Sequence, residues 1–324
     1  MKKLIKITAW VVFVAILSAI LFVPKEVKSN TNQAEYKTLL NVWQIDSFSG
    51  GTGSRASFLR RVSTSFSKKY IGVLSLVTVH SVESAKEAVK AGKFPDVVSI
   101  GISDIDFSSS QKEVGNLNVE GGGIINKKRY FVPWAKGGYF ILKRGEGSKD
   151  VTVIEGKFNS ALVALALSKT KVNSFAITDA NLGFNDFILK KNATMIATQR
   201  EVVRLKNRGV EFSYEAINEY CDLYQYALIT SNTSKNEYYS RLFVDYLLSD
   251  NIQNKLTEIL MLSTVKKGLY PTNEEYCALE KQSVKYTLSP FSSANKIEKI
   301  KSEAKEVLLD SKSLEGLIKL LKQL

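Results

Sequence analysis

The sequence predicts an α/β fold built on a parallel sheet, and three observations carry that prediction. An apolar strand at 39–45 runs into the turn Asp46-Ser47-Phe48-Ser49-Gly50-Gly51-Thr52-Gly53-Ser54-Arg55 and then into a helix. A second βα unit and a third strand follow in alternation, the order that yields parallel pairing. The strands also end in polar residues, and open α/β sheets take ligands at the carboxyl ends of their strands. The turn after strand one therefore points to a binding cleft.

The elements follow in order. Residues 54–70 form a helix, with Phe58, Leu59, Val62 and Phe66 at helical spacing. Strand two is 73–79. A helix over 84–91 opens at the candidate cap Ser81 and closes at Gly92. Strand three spans 95–101 and ends in the polar turn Ser103-Asp104. Residues 108–128 are rich in Ser, Gly and Asn and read as a surface loop. An extended pair, 130–134 and 138–142, surrounds Ala135-Lys136-Gly137. Helices are expected at 156–168 and 182–191, and a strand at 193–198, with Gln199-Arg200-Glu201 at its end. Residues 223–230 make another strand. Amphipathic helices at 238–248 and 251–260 precede two closing helices at 296–310 and 313–323. No internal repeat is visible.

In front of the first strand stands an expected export signal. Lys2, Lys3 and Lys6 precede an apolar run from Ile7 to Val23, broken only by Thr8 and Ser18 and stopped by Pro24. Val27-Lys28-Ser29 offers a cleavage site, so residues 1–29 read as a signal peptide. The rival is an uncleaved N-terminal anchor, since the run is at the lower limit for spanning a bilayer. Either way the chain is expected to be exported, to the extracellular face of the cell membrane or the periplasm. No Cys lies near the run, which excludes attachment through a lipid-modified Cys there.

Composition narrows the classes further. Residues 1–29 hold five Lys and one Glu, so of the net charge of +13 the remainder keeps +9. The Lys are dispersed, which reads as solvated helix faces and offers no basic cluster for nucleic acid. Cys221 and Cys277 make no disulfide framework. Spacing does not settle whether they pair, and two buried free thiols are the reading taken. His80 is the only His, so a His-rich metal site is impossible, and its place after strand two gives it a structural role. The glycine turn is not a P-loop, because the Lys-Ser/Thr ending is absent. No cofactor, metal or catalytic residue is expected, and the chain is read as no enzyme. A carboxylate pair such as Asp46 and Asp104 could in principle serve glycoside hydrolysis, but any chain this size holds such pairs.

Three stretches carry a resemblance. Phe94-Pro95-Asp96-Val97-Val98 looks like a "PDVV" strand, Phe187 to Ile196 looks like an "F..GKAAM" helix-to-strand passage, and Phe243 to Gln253 looks like an "F..YLLSDE.Q" helix pair. In this order they resemble the extracellular solute-binding proteins of ABC importers, in the group that binds sugars. The resemblance covers nearly all of 38–324. It implies two α/β lobes of the periplasmic-binding-protein type with the ligand cleft between them. By that pattern lobe one holds 38–134 and 216–272, and lobe two holds 135–215 and 273–324. It also implies a saccharide-like small molecule as ligand and the permease subunits of an importer as partners.

Candidate ligand-binding residues sit where loops leave strands: Asp46, Ser47, Ser54 and Arg55 after strand one, Asp104 after strand three, and Trp134 and Lys136 at the first lobe crossing. Arg200 matches a position where the family often places a stacking aromatic. Tyr139, Tyr224 and Phe291 are further aromatic candidates. Aromatic faces suit sugar rings, while carboxylates, amides and Arg suit hydroxyls. An unpaired buried polar group costs about 1–3 kcal/mol, which is how such clefts discriminate. Two alternatives stay open, a membrane-anchored ligand sensor and a binder of a phosphorylated solute held by Arg55 and Arg200.

Overall fold

A computed structural model describes residues 36–46, 55–115, 117–145, 148–168, 170, 172–309 and 312–322. The expected signal or anchor at 1–29 lies outside them. No helix among the described residues is long and apolar enough to cross a membrane.

The chain builds two five-stranded sheets. The first has the order β2 (Val73–Ser81), β1 (Thr38–Asp46), β3 (Val97–Ile100), β12 (Tyr224–Ile229), β6 (Phe131–Lys136). β1 pairs in parallel with both β2 and β3, as the βα order predicts. β12 returns late in the chain and slots antiparallel between β3 and β6. β1 buries Thr38, Leu40, Val42 and Gln44 and exposes Leu39 and Asn41, the alternation of a sheet face packed on one side. Helix α1 (Arg55–Lys69) and helix α6 (Ser234–Leu247) meet edge to face through Phe66 and Phe243, with ring centroids 5.2 Å apart. Asp96, from the Pro-Asp-Val-Val stretch, locks this layer. Its Oδ2 accepts from the Asn41 amide at 2.8 Å and its Oδ1 from Asn236 of α6 at 2.9 Å.

The second sheet has the order β11 (Ser213–Ala216), β7 (Tyr139–Lys143), β10 (Asn192–Thr198), β8 (Ser148–Ile154), β9 (Phe175–Thr178). β8, β9 and β10 run parallel, and β7 and β11 join them antiparallel. The buried helix α3 (Ala161–Leu167) packs against α9 (Ala294–Leu309), and α10 (Leu314–Lys322) packs on α9. Another core gathers Phe140, Leu142, Phe184, Phe187, Met195, Val202, Leu205 and Leu279. It draws on α4 (Ala180–Ile188), α5 (Gln199–Asn207) and α8 (Glu274–Glu280).

The expected surface loop at 108–128 ends in a small hairpin, β4 (Ile124–Ile125) with β5 (Lys128–Arg129). The expected helix at 251–260 is a short helix, α7 (Asp250–Gln253), then one 3₁₀ turn at 256–259. β6 runs two residues beyond 134, so Lys136 belongs to the first sheet.

Gly137 and Gly138 carry the chain from β6 to β7. Their lack of side chains lets two others close down on the backbone. A Cβ at Gly137 would lie 2.7 Å from the Gln199 amide, and one at Gly138 would lie 2.2 Å from Leu279 Cδ2. Both neighbours are fully buried, so this crossing needs glycine for close approach.

Candidate functional site

Two helix starts converge near the β6–β7 crossing. Thr198 caps α5 through a capping box: Glu201 Oε2 accepts from the Thr198 amide at 3.1 Å and from its hydroxyl at 2.6 Å. Gln199 then pins the helix to the crossing. Its Oε1 accepts from Gly138 N at 2.9 Å and its Nε2 donates to Leu260 O at 2.8 Å. α1 is held against the same region. Phe58 stacks on Trp134 of β6, and Arg61 pairs with Glu258 at 2.6 Å, two residues before Leu260.

This arrangement places Arg55 and Arg200 within electrostatic reach of each other. Arg55 opens α1 and is 7 % exposed, with its Nη2 3.8 Å from Asp46 Oδ1 at the end of β1. Burial draws its pKa below the usual arginine value. Asp46 opposes that change, and the positive charge of Arg200 adds to it. Arg200 is the second residue of α5, and its Nε lies 3.8 Å from Glu201 Oε1. One turn on, Arg204 rests over the Phe184 ring at 4.0 Å. Its pKa is lowered by burial and then by Arg200. Ser47 and Ser54, with the glycine turn between them, lie outside the described residues.

The other expected residues are already engaged. Asp104 pairs with Lys86 at 2.6 Å. Lys136 is buried and bonded to Glu120, whose other oxygen is 3.8 Å from Lys267. Trp134 was expected to offer a stacking face, but it is fully buried between strands and helix. It lies on Phe58 at 6.0 Å, and its indole N–H donates to Ser99 Oγ at 3.3 Å. Tyr139 is likewise sealed. Phe291 is half-buried with its ring edge-on to Phe131 at 4.2 Å.

Tyr224 stands apart from the Arg55–Arg200 group. Its ring is covered by Gly121, where a Cβ would come within 2.8 Å of it. It lines a cavity of about 410 Å³ with Glu120, Gln282 and Tyr286, a lining that includes none of Asp46, Arg55, Asp104 or Arg200. Tyr224 Oη and Gln282 Oε1 are buried there without a hydrogen-bond partner among the described residues. Glu120, Gln282 and Tyr286 come from segments whose patterns mark no element, so nothing in the sequence singled them out.

A network that the sequence does not announce ties the two sheets together at Asp222. Asp222 Oδ1 accepts from Tyr139 Oη at 2.8 Å, and its Oδ2 accepts from Tyr220 Oη at 2.8 Å and from Ser160 N at 2.7 Å. Burial pushes its carboxyl up to about 6, against these three hydrogen bonds. Glu155 accepts from the amides of Ala161 and Leu162, and Lys301 stands 3.8 Å away. Burial pushes Glu155 to about 7.

Cys221 donates to Gly137 O at 3.2 Å, fully buried, and its thiol is pushed up to about 12. Cys277 is also free but only half-buried, which corrects the expectation of two buried thiols. His80 packs on Trp43 with ring centroids 4.3 Å apart. Among the described residues, no three His, Cys, Asp or Glu gather as a metal site would require.

No protein-family model matches the sequence, and no curated protein matches it. Solved structures do match in fold. The GacH receptor of Streptomyces glaucescens, solved free and with acarbose, is 14 % identical; the match covers 88 % of this chain and 99 % of that one, with a TM-score of 0.56. An ABC transporter solute-binding protein from Thermotoga lettingae, bound with α-D-tagatose, is 12 % identical over 88 % and 98 %, with a TM-score of 0.57. The sugar-binding protein MalE from Xanthomonas citri is 12 % identical over 88 % and 95 %, with a TM-score of 0.59. All three carry names for binding rather than turnover. At this identity the likeness reaches the architecture: the chain has the two-lobed α/β fold of ABC-transporter solute-binding proteins.

Proposed function

We propose that the chain is an exported receptor that captures a saccharide or saccharide derivative and delivers it to the permease subunits of an ABC importer. The observation that carries this reading is that Asp46 ends β1 and Arg200 stands just past the end of β10, with the charge of Arg200 felt at Arg55, the first residue of α1. Strand ends of this kind are where parallel sheets take their ligands. Fold neighbours named for sugars support the solute class. The basic, apolar start of the chain supports export, by a cleaved signal or an anchor. The lobe built on the first sheet closes on the lobe built on the second when solute bridges them, and the closed form is what the permease reads. No step in this role needs turnover.

Thermal unfolding of the purified protein against a panel of mono- and oligosaccharides tests the reading. At 100 times its dissociation constant, a bound sugar adds about 2.7 kcal/mol of stability. At least one sugar is expected to raise the midpoint saturably, with no release of reducing ends on incubation. A panel without effect, or hydrolysis of any member, overturns the reading.

A further inference from the structure

The cavity that Tyr224 lines shares no residue with the strand ends to which the receptor reading points. At about 410 Å³ it falls at the small end of ligand pockets, which run from about 300 to 1,000 Å³. Three segments build it. Tyr224 opens β12 of the first sheet, and Gly121 covers its ring. Glu120, beside Gly121, is tied down where its amide donates to Thr264 O at 2.8 Å. Residues 282–287 follow α8 and complete the lining with Lys267. The amides of Lys285 and Tyr286 hold that segment by donating to Glu219 O at 2.9 and 3.0 Å.

Two polar atoms of this lining are left over. Tyr224 is fully buried, and its Oη has no hydrogen-bond partner among the described residues. Burial holds the phenol well above its ordinary pKa, so the hydroxyl keeps its proton and can both donate and accept. Gln282 is 3 % exposed. Its Nε2 donates to Ile217 O, which orients the amide and leaves Oε1 with no donor among the described residues. A buried polar group left unmet costs about 1–3 kcal/mol, and native chains keep few of them. Two on one cavity point to a molecule that bonds to both. The charges of the lining make no such demand. Glu120 is bonded to Lys136 and lies 3.8 Å from Lys267, and Lys285 lies 3.3 Å from Glu219. What the cavity asks for is therefore neutral: hydroxyls for Gln282 and Tyr224, and an apolar face for the rings of Tyr224 and Tyr286.

We propose that this cavity is a second binding site, for a neutral polyol of single-ring size such as a monosaccharide or a cyclitol, one of whose hydroxyls donates to Gln282 Oε1 while another bonds to Tyr224 Oη. The site stands apart from the solute site of the receptor reading and does not depend on it. It also joins the two sheets. Tyr224 belongs to β12 of the first, while Ile217, which orients Gln282, donates its amide to Tyr139 O of β7 in the second at 2.9 Å. A ring bonded to both residues therefore touches both halves of the fold.

Calorimetry on the full protein tests the proposal with D-glucose, D-galactose, myo-inositol and the charged D-glucuronate. Wild type is compared with Tyr224→Phe and Gln282→Met, and thermal unfolding is the folding control. At least one neutral ring is expected to bind wild type, with no dependence on salt, and D-glucuronate should bind no tighter than D-glucose. Each substitution should weaken the bound ring about fivefold, the loss of one neutral hydrogen bond. Gln282→Met also forfeits the bond to Ile217, so Tyr224→Phe decides if that variant does not fold. Without ligand, Tyr224→Phe should not lower the unfolding midpoint, because its hydroxyl gives up no partner. A lowered midpoint overturns the proposal, and so does D-glucuronate binding tighter than D-glucose. A ring that binds Tyr224→Phe as tightly as wild type sits elsewhere, which overturns the proposal and leaves the receptor reading standing. If no neutral ring binds, the proposal fails; the receptor reading survives that result where an oligosaccharide still raises the midpoint, and fails with it where none does.

Discussion

Asp222→Ala should destabilise the protein by about 3 kcal/mol, because it leaves three buried donors without their acceptor. Those donors are Tyr139 Oη, Tyr220 Oη and Ser160 N. They come from β7, from the approach to β12 and from the cap of α3, so the loss falls on the join between the two sheets. The same group sets a pH dependence. Its folded pKa, about 6, lies above its ordinary value of 3.8, and that of Glu155, about 7, lies above 4.5. Between about pH 4 and pH 7 the folded state therefore holds more protons than the unfolded chain. The contribution of these carboxyls is full at the acid end and is lost as pH rises through the folded values. Asp222→Asn, which never ionises, escapes that loss. Urea unfolding at pH 4.5 and 7.5 should show wild type losing ground to Asp222→Asn as pH rises. A gap that stays constant or moves the other way would contradict the account.

Trp134→Ala is expected to cost about 3–5 kcal/mol of stability, the usual range for emptying a fully buried Trp site. The indole packs on Phe58 of α1 and donates to Ser99 of β3, so its removal opens a void between helix and sheet. Solute affinity should be nearly unchanged once folded protein is measured below its lowered unfolding temperature. Calorimetry paired with thermal unfolding separates the two effects. A large loss of affinity with unchanged stability would show the indole to be a stacking face after all.

The contrast between these residues shows which parts of the molecule a sequence reveals. β1, β2, β3 and β12 are strongly apolar runs with polar ends, and their parallel order follows from the helices between them, β12 excepted. The places of Asp46 and Arg200 follow from the same pattern, since one ends β1 and the other stands two residues past β10. β9 and β11 were missed because they are short, partly exposed edge strands with little apolar periodicity. α5 carries only Val202 and Leu205 as buried apolar residues, and its real signal was the Thr198–Glu201 capping box. The burial of Trp134, Lys136 and Tyr139 depends on what lies across from them. Gly137-Gly138 follow Trp134 and Lys136 at the crossing and carry no side chains. In the fold the missing side chains admit Gln199 and Leu279, so the glycines close the crossing instead of exposing it. Asp222 was invisible because its partners Tyr139 and Ser160 come from distant parts of the chain.

The unequal fate of the two thiols gives the molecule an intrinsic reporter position. Cys221 is shut inside the crossing with its sulfur held in the protonated, unreactive form, whereas Cys277 lies half-open on α8, two residues from the Leu279 side chain that presses on Gly138. A fluorophore that alkylates thiols therefore meets a single address on the native chain, with no residue to engineer away. That address sits on the helix that leans against the pivot, where a change of angle between the sheets becomes a change of emission.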